Sequence, residues 1–337
     1  MCASLLGRLS RGGRADGVGR LGDSLVIAST KPSFVSSLKT TIAKHPAAAF
    51  LVFFYVTGWI FFLPALLGTS GFGLLAYDLP PQPSILALTL VGLAGGAFLM
   101  TRIADGKEGV RELRSRYFTW RTGPQWYLLA LFGAPLLLLV GAAVIQGTGI
   151  LGTFGANLPQ FLPNYVLQVV LIALLISLWE ETGWMSFLTA RWQKRFGPVL
   201  ASLMVAPLFG LGHFPLLFLA GGLTDSGRLT ASEVPEYVFY LLVLFAVPVR
   251  LILTWVFNST GGSLPIVALL HASFDVTASA AILTGFYPGV DGRLLYFGLA
   301  IVAIGVLVIT RGRLGYRETA VASAPVGIPM PTPVPLR

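Results

Sequence analysis

Five ionisable side chains stand where an apolar chain tolerates few: Glu180, Glu181, His213, His271 and Asp275 all fall inside hydrophobic runs. At the centre of a membrane-spanning helix an ionisable residue costs about 2.5–3.5 kcal/mol on insertion scales, so three unpaired carboxylates cost on the order of 8–10 kcal/mol. Residues kept at that cost face the bundle interior, pair with one another and mark function. A carboxylate and an imidazole in one cavity can activate a water or relay a proton. Spacing brings several of the five together. Phe209 and His213 are four apart, as are His271 and Asp275, so each pair shares a helix face. Glu180 and Glu181 are adjacent and point about 100° apart, so only one aims straight at a given site and the other needs its own partner. Gly210 and Gly212 remove bulk beside His213 and let another helix approach closely.

The elements that must position these groups are membrane helices. The 337 residues are 55% hydrophobic and 11% charged, against about 25% charged in soluble domains. A spanning helix needs roughly 20 mostly apolar residues. Eight stretches meet or approach this, near 47–68, 84–102, 126–146, 163–188, 199–220, 237–257, 264–286 and 293–311. The expected fold is all-α, a polytopic transmembrane bundle of about eight spans. Its expected setting is a bilayer, as an integral protein of a bacterial cell membrane.

Net charge is +9, but the cations sit in tails and short connections between apolar runs, a positive-inside pattern and not a nucleic-acid footprint. Arg8, Arg11, Arg14, Arg20, Lys31, Lys39 and Lys44 precede the first span. Lys107, Arg111, Arg114, Arg116 and Arg121 follow the second, Arg191, Lys194 and Arg195 the fourth, and Arg311, Arg313 and Arg317 the eighth. The opposite connections are nearly free of cations: 69–83 holds only Asp78, 147–160 no charge, and 221–236 Arg228 among three acids. Both termini are therefore expected in the cytoplasm. Cys2 is the sole cysteine, which rules out an intramolecular disulfide.

By composition the chain divides into a basic, disordered tail at 1–46, a first helical group at 47–158, a core at 160–282 holding the five residues, a last span at 283–317, and a Pro-rich disordered tail at 318–337. The first stretch lacks an apolar h-region and does not read as a cleavable signal peptide. No internal repeat is evident, which argues against an inverted-repeat transporter.

Three segments in order, Glu180-Glu181-Thr182-Gly183-Trp184-Met185, Phe209 to His213 and His271 to Asp275, resemble the CPBP family of intramembrane proteases, which includes the type II CAAX prenyl endopeptidases and abortive-infection-like proteins. The runs Thr254 to Leu264 and Gly109 to Leu128 look similar to it as well. The family's motifs are Glu-Glu-x-x-x-Arg, Phe-x-x-x-His and His-x-x-x-Asn. Here Met185 replaces the arginine and Asp275 the asparagine. Arg250, the one cation well inside a predicted span, is expected either to pair with a motif carboxylate in place of that arginine or to snorkel to the interface.

The resemblance implies hydrolysis of a peptide bond in a membrane-associated protein or peptide; a prenylated CAAX protein is what one branch of the family cleaves. In that reading Glu180 is the general base, His213 holds or activates the water, and His271 donates to the oxyanion. Asp275 can be a protonated donor, a carboxylate that orients His271, or a metal ligand. Glu180, His213 and His271 would make a catalytic zinc set with an open fourth position, while a metal-free glutamate–histidine mechanism is equally compatible. A catalytically inactive membrane adaptor or immunity protein, and a proton-coupled transporter, are the competing readings. The site is expected to open toward the cytoplasm. Counting from the predicted helix ends, however, Glu180 and His271 lie roughly 10 Å deep and His213 roughly 20 Å. Convergence then requires the fifth span to start later or to tilt.

Overall fold

The computed structural model describes residues 33–220 and 229–317. Among the described residues every regular element is helical. Eleven helices follow in order: α1 Phe34–Lys44, α2 Pro46–Leu67, α3 Gln82–Ala104, α4 Gly106–Ser115, α5 Pro124–Gln146, α6 Gly149–Phe196, α7 Pro198–Phe218, α8 Val234–Ser259, α9 Leu264–Ala278, α10 Ala280–Phe286 and α11 Arg293–Ile309.

Each of the eight apolar runs is helical, but not each as one plain span. Among the described residues six helices are long and apolar enough to cross a bilayer, or up to seven if the pair α9–α10, bent by 61°, is one span. The last run forms only the 17-residue α11. The outward faces are apolar, as lipid requires: Val56, Ile60 and Leu63 on α2, Val140 and Val144 on α5, and Ile301 and Val308 on α11 are exposed.

Three expectations need correction. Residues 34–44, inside the stretch expected to be a disordered tail, form α1. Ser33 caps it by accepting from the Ser36 amide, and Lys44 stands in its last turn, both favourable helix-end signals. The connection expected at 147–160 is helix from Gly149 onward. Pro159 and Pro163 disfavour a helix there, yet the helix passes both. Asn157 donates to the Thr153 carbonyl and Asn164 to that of Gln160 within the same stretch. The basic loop at 103–125 contains α4 and a 3₁₀ turn at Arg116–Phe118. The remainder of the N-terminal tail, Arg228 and the Pro-rich tail lie outside the described residues.

The 48-residue α6 is the axis of the bundle. It contributes to both apolar cores. One holds Leu138, Tyr165, Leu253, Leu270 and Leu299 from α5, α6, α8, α9 and α11; the other holds Phe50, Leu93, Trp184, Val205 and Phe209 from α2, α3, α6 and α7. Because lipid is as apolar as the core, close fit rather than water exclusion joins such helices. A Cβ on Gly210 would run into Leu242 of α8, and one on Gly212 would meet Phe54 of α2 at 3.0 Å. The close approach expected at these two glycines is therefore present on both sides of α7.

Candidate active site

The turn between α6 and α7 places the first two motifs at one level. Gly197 reverses the chain with φ of +78°, a conformation that favours glycine, and Pro198 opens α7. Glu181 and His213 each stand 16 residues from Gly197, so antiparallel arms carry them to the same height. The depth mismatch disappears because α6 continues to Phe196 instead of ending near 188. His213 terminates the α-helical part of α7, and a 3₁₀ turn starting at Phe214 follows, with Pro215.

α9 is set by its entry. Ser263 accepts from the Ile266 amide and donates to the Thr119 carbonyl at 2.7 Å, pinning the helix start to the loop before α5. Just beyond His271, Ser273 meets the Tyr165 hydroxyl at 2.7 Å, and that hydroxyl also donates to the Leu131 carbonyl. These bonds fix the rotation of α9 against α5 and α6, and with it the direction of His271 and Asp275.

The centre of the site is an ion pair with no exposure on either side. Arg250 of α8 donates Nη1 to Glu181 Oε2 at 3.0 Å and Nη2 to Oε1. It pairs with a motif carboxylate and does not snorkel. Met185 occupies the position of the family's arginine, fully buried in the apolar core. Beside the pair, His271 Nδ1 lies 2.7 Å from Glu181 Oε1 but off the line of an aligned N–H···O bond. Its Nε2 faces the other way, 3.9 Å from Glu180 Oε2 and 3.6 Å from Asp275 Oδ2.

Phe209 is the shared wall. Its ring centroid is 4.7 Å from that of His213 and 5.7 Å from that of His271, and the Arg250 guanidinium carbon stands 4.4 Å above it. His213 Nδ1 is 2.9 Å from the Phe209 carbonyl. A carbonyl can only accept, so the proton resides on Nδ1 and Nε2 carries the free lone pair. Glu180, Glu181, His271, Asp275 and Arg250 are thus gathered directly, and His213 joins them across Phe209.

His213 and Asp275 line a cavity of about 790 Å³, together with Tyr240, Phe245, Phe274 and Tyr296. Its mouth carries Glu236, Asp291 and Arg293, where Arg293 pairs with Asp291 at 2.5 Å and reaches Glu236 at 3.5 Å. The mouth lies at the start of α8 and α11 and the end of α9. This is the end of the bundle opposite the basic loops, whereas the charge pattern leads one to expect an opening at the basic end. The reason is again the length of α6: the basic end lies on the order of 20 Å of helix away from Glu181. Contacts such as Gln193 with Asn258 fill the space between. The tyrosines and the charged mouth have no signal in the sequence, because they sit at helix ends that read as ordinary interface residues.

Among the described residues no group of three or more His, Cys, Asp or Glu forms a ligand cluster. His271 Nδ1 is turned to Glu181 and His213 Nδ1 to a carbonyl, so Nε2 is the nitrogen that each would offer to a metal.

Comparison with known proteins covers the segments that build this site. Residues 162–277, from α6 through most of α9, match the family model described as type II CAAX prenyl endopeptidase Rce1-like. A CAAX prenyl protease 2 of Methanococcus maripaludis is 22% identical over 275 residues, covering 79% of this chain and 93% of the relative. The resemblance first drawn from three short motifs therefore extends through the core, and at the level of the family it supports an integral membrane protease acting on a protein substrate.

Proposed function

We propose that this chain is an intramembrane endopeptidase that hydrolyses a peptide bond of a membrane-associated protein or peptide by a glutamate–histidine mechanism. One observation carries the reading: of the two adjacent glutamates, Glu181 is held on both oxygens by Arg250, whereas Glu180 has no such partner and faces His271 Nε2. The two carboxylates thereby divide into a structural group and a chemical one.

Glu180 accepts the proton of the attacking water, and His213 presents its Nε2 lone pair to the same water. His271 offers Nε2–H to the oxygen of the scissile carbonyl, where negative charge develops in the transition state. The proton held by Glu180 then passes to the leaving amine, completing hydrolysis. Asp275, 3.6 Å from Nε2 and itself on the cavity wall, orients the imidazole. Arg250 in place of an arginine at 185 supports a working site over an inactive adaptor, since the charge that Met185 lacks is supplied from α8.

The name of the archaeal relative makes CAAX-type proteins the first substrates to test. Capture by a Glu180→Gln variant, followed by mass spectrometry, tests the class. A trapped membrane-associated protein that the unaltered chain cleaves supports the reading, and wild-type phenotype in the variant overturns it. Metal analysis of active, purified protein tests the mechanism: activity without stoichiometric metal supports it, and loss on chelation with return on adding zinc overturns it.

A further inference from the structure

The two ends of the bundle differ in charge. At one end, the connections after α3, α6 and α11 expose Lys107, Arg114, Lys194, Arg195, Arg311 and Arg313. At the other, among the described residues, Asp78, Glu233, Glu236 and Asp291 are exposed and Arg293 is the one cation. Lys and Arg are retained preferentially on the cytoplasmic side of a membrane, so this asymmetry orients the bundle with its basic end in the cytoplasm.

The cavity that holds the site opens at the cation-poor end. Glu236 in the first turn of α8, Asp291 and Arg293 form its rim, and His213 and Asp275 lie deeper. Asp275 is three residues from the end of α9 and eleven from its start, so it stands about 5 Å below the mouth end of that helix and about 17 Å from the basic end. The basic end is closed by packed polar contacts. Asn258 exchanges bonds with Gln193 and donates to the Leu314 carbonyl at 3.1 Å. Arg116 donates to the Ser186 carbonyl at 2.6 Å, and Ser263 to that of Thr119 at 2.7 Å.

We infer that the site is served from the non-cytoplasmic face, and that its substrates are membrane-anchored proteins whose cleavable segment lies on that side. This rests on the peptidase reading above and narrows it: a segment tethered only at the cytoplasmic leaflet meets the closed basic end. His271 is seven residues from the end of α9, roughly 10 Å, a depth that an extended chain at about 3.3 Å per residue crosses in about three residues. The bond cut is therefore about three residues inside the mouth. The rim, with Glu236 and Asp291 against Arg293, receives a neutral or basic segment more readily than an acidic one.

Cys2 is the sole cysteine, so Cys2→Ser gives a cysteine-free full-length chain for labelling. In that background Ala280→Cys, exposed at the rim, and Lys194→Cys, exposed at the basic end, are treated with a membrane-impermeant maleimide in right-side-out and in inverted vesicles. Ala280→Cys is labelled in right-side-out vesicles and loses that labelling on inversion, and Lys194→Cys shows the reverse. Labelling of Ala280→Cys from inverted vesicles, or from neither face, overturns the inference. Labelling needs no turnover, so the two readings fail separately: reversed labelling leaves hydrolysis standing, and a Glu180→Gln variant that traps nothing leaves the orientation standing. For a protein that Glu180→Gln does trap, the cut made by the unaltered chain, mapped by mass spectrometry, falls at the non-cytoplasmic end of its anchor. A cut at the cytoplasmic end overturns the substrate class.

Discussion

Arg250 and Glu181, 69 residues apart in sequence, meet as a two-point ion pair with neither side chain exposed. Removing one partner of such a pair strands a buried charge, at a cost of about 3–5 kcal/mol. Arg250→Gln therefore lowers the unfolding temperature and the yield of inserted protein. A Glu181→Gln, Arg250→Met double variant recovers most of that loss, since neither charge remains. Thermal unfolding of the parent, Glu181→Gln, Arg250→Met and the double variant side by side measures the coupling, and additive losses would exclude the pairing.

Met185 allows a complementary swap. It is fully buried one turn beyond Glu181, so Met185→Arg places a second cation where Arg250 already satisfies the carboxylate. That variant alone is destabilised by several kcal/mol, on the order of an uncompensated buried charge. Combined with Arg250→Leu, the new arginine takes over the pair, and stability rises above that of either single variant. Expression and melting temperature read this directly.

Glu180→Gln separates chemistry from folding. The side chain carries no aligned bond to another residue, so its loss as a base slows turnover by about 10²–10⁴-fold while melting temperature stays near that of the parent. A cleavage assay in proteoliposomes with a matched unfolding curve checks both halves. A variant that loses stability as much as activity would move Glu180 into the structural role assigned to Glu181.

Asp275 distinguishes shape from charge. Asp275→Asn keeps size and hydrogen-bonding capacity beside His271 Nε2, and turnover falls by no more than about tenfold, the lower end for disturbing a positioned imidazole. Asp275→Leu removes both and abolishes cleavage. If asparagine and leucine behave alike, the negative charge itself is required.

The apolar runs are legible because a bilayer enforces a length and a composition, and the five ionisable residues are legible because lipid makes them costly. Phe209 and His213 can be paired from spacing alone. What spacing cannot carry is contact between distant segments. Arg250 has two equal readings in sequence, and only the packing of α8 against α6 and α7 chooses one. The direction of the cavity is hidden for a related reason. The charges near 189–196 look like the end of a helix, whereas α6 runs through them, and a few added turns move the site toward the opposite end.

α6 has one further property. On either side of Glu180 and Glu181 its backbone opens into wider i→i+5 turns, at Ala173–Ser177 and Thr182–Thr189, and within the second the Thr189 side-chain hydroxyl donates to the Trp184 carbonyl. Each such turn absorbs one residue more than an α turn. The glutamates therefore sit on a short α-helical segment, Leu178–Glu181, between two widened stretches of one continuous helix. Deleting one residue within either stretch would therefore restore ordinary winding and remove the widened turn, with the glutamates and the outer turns still in phase.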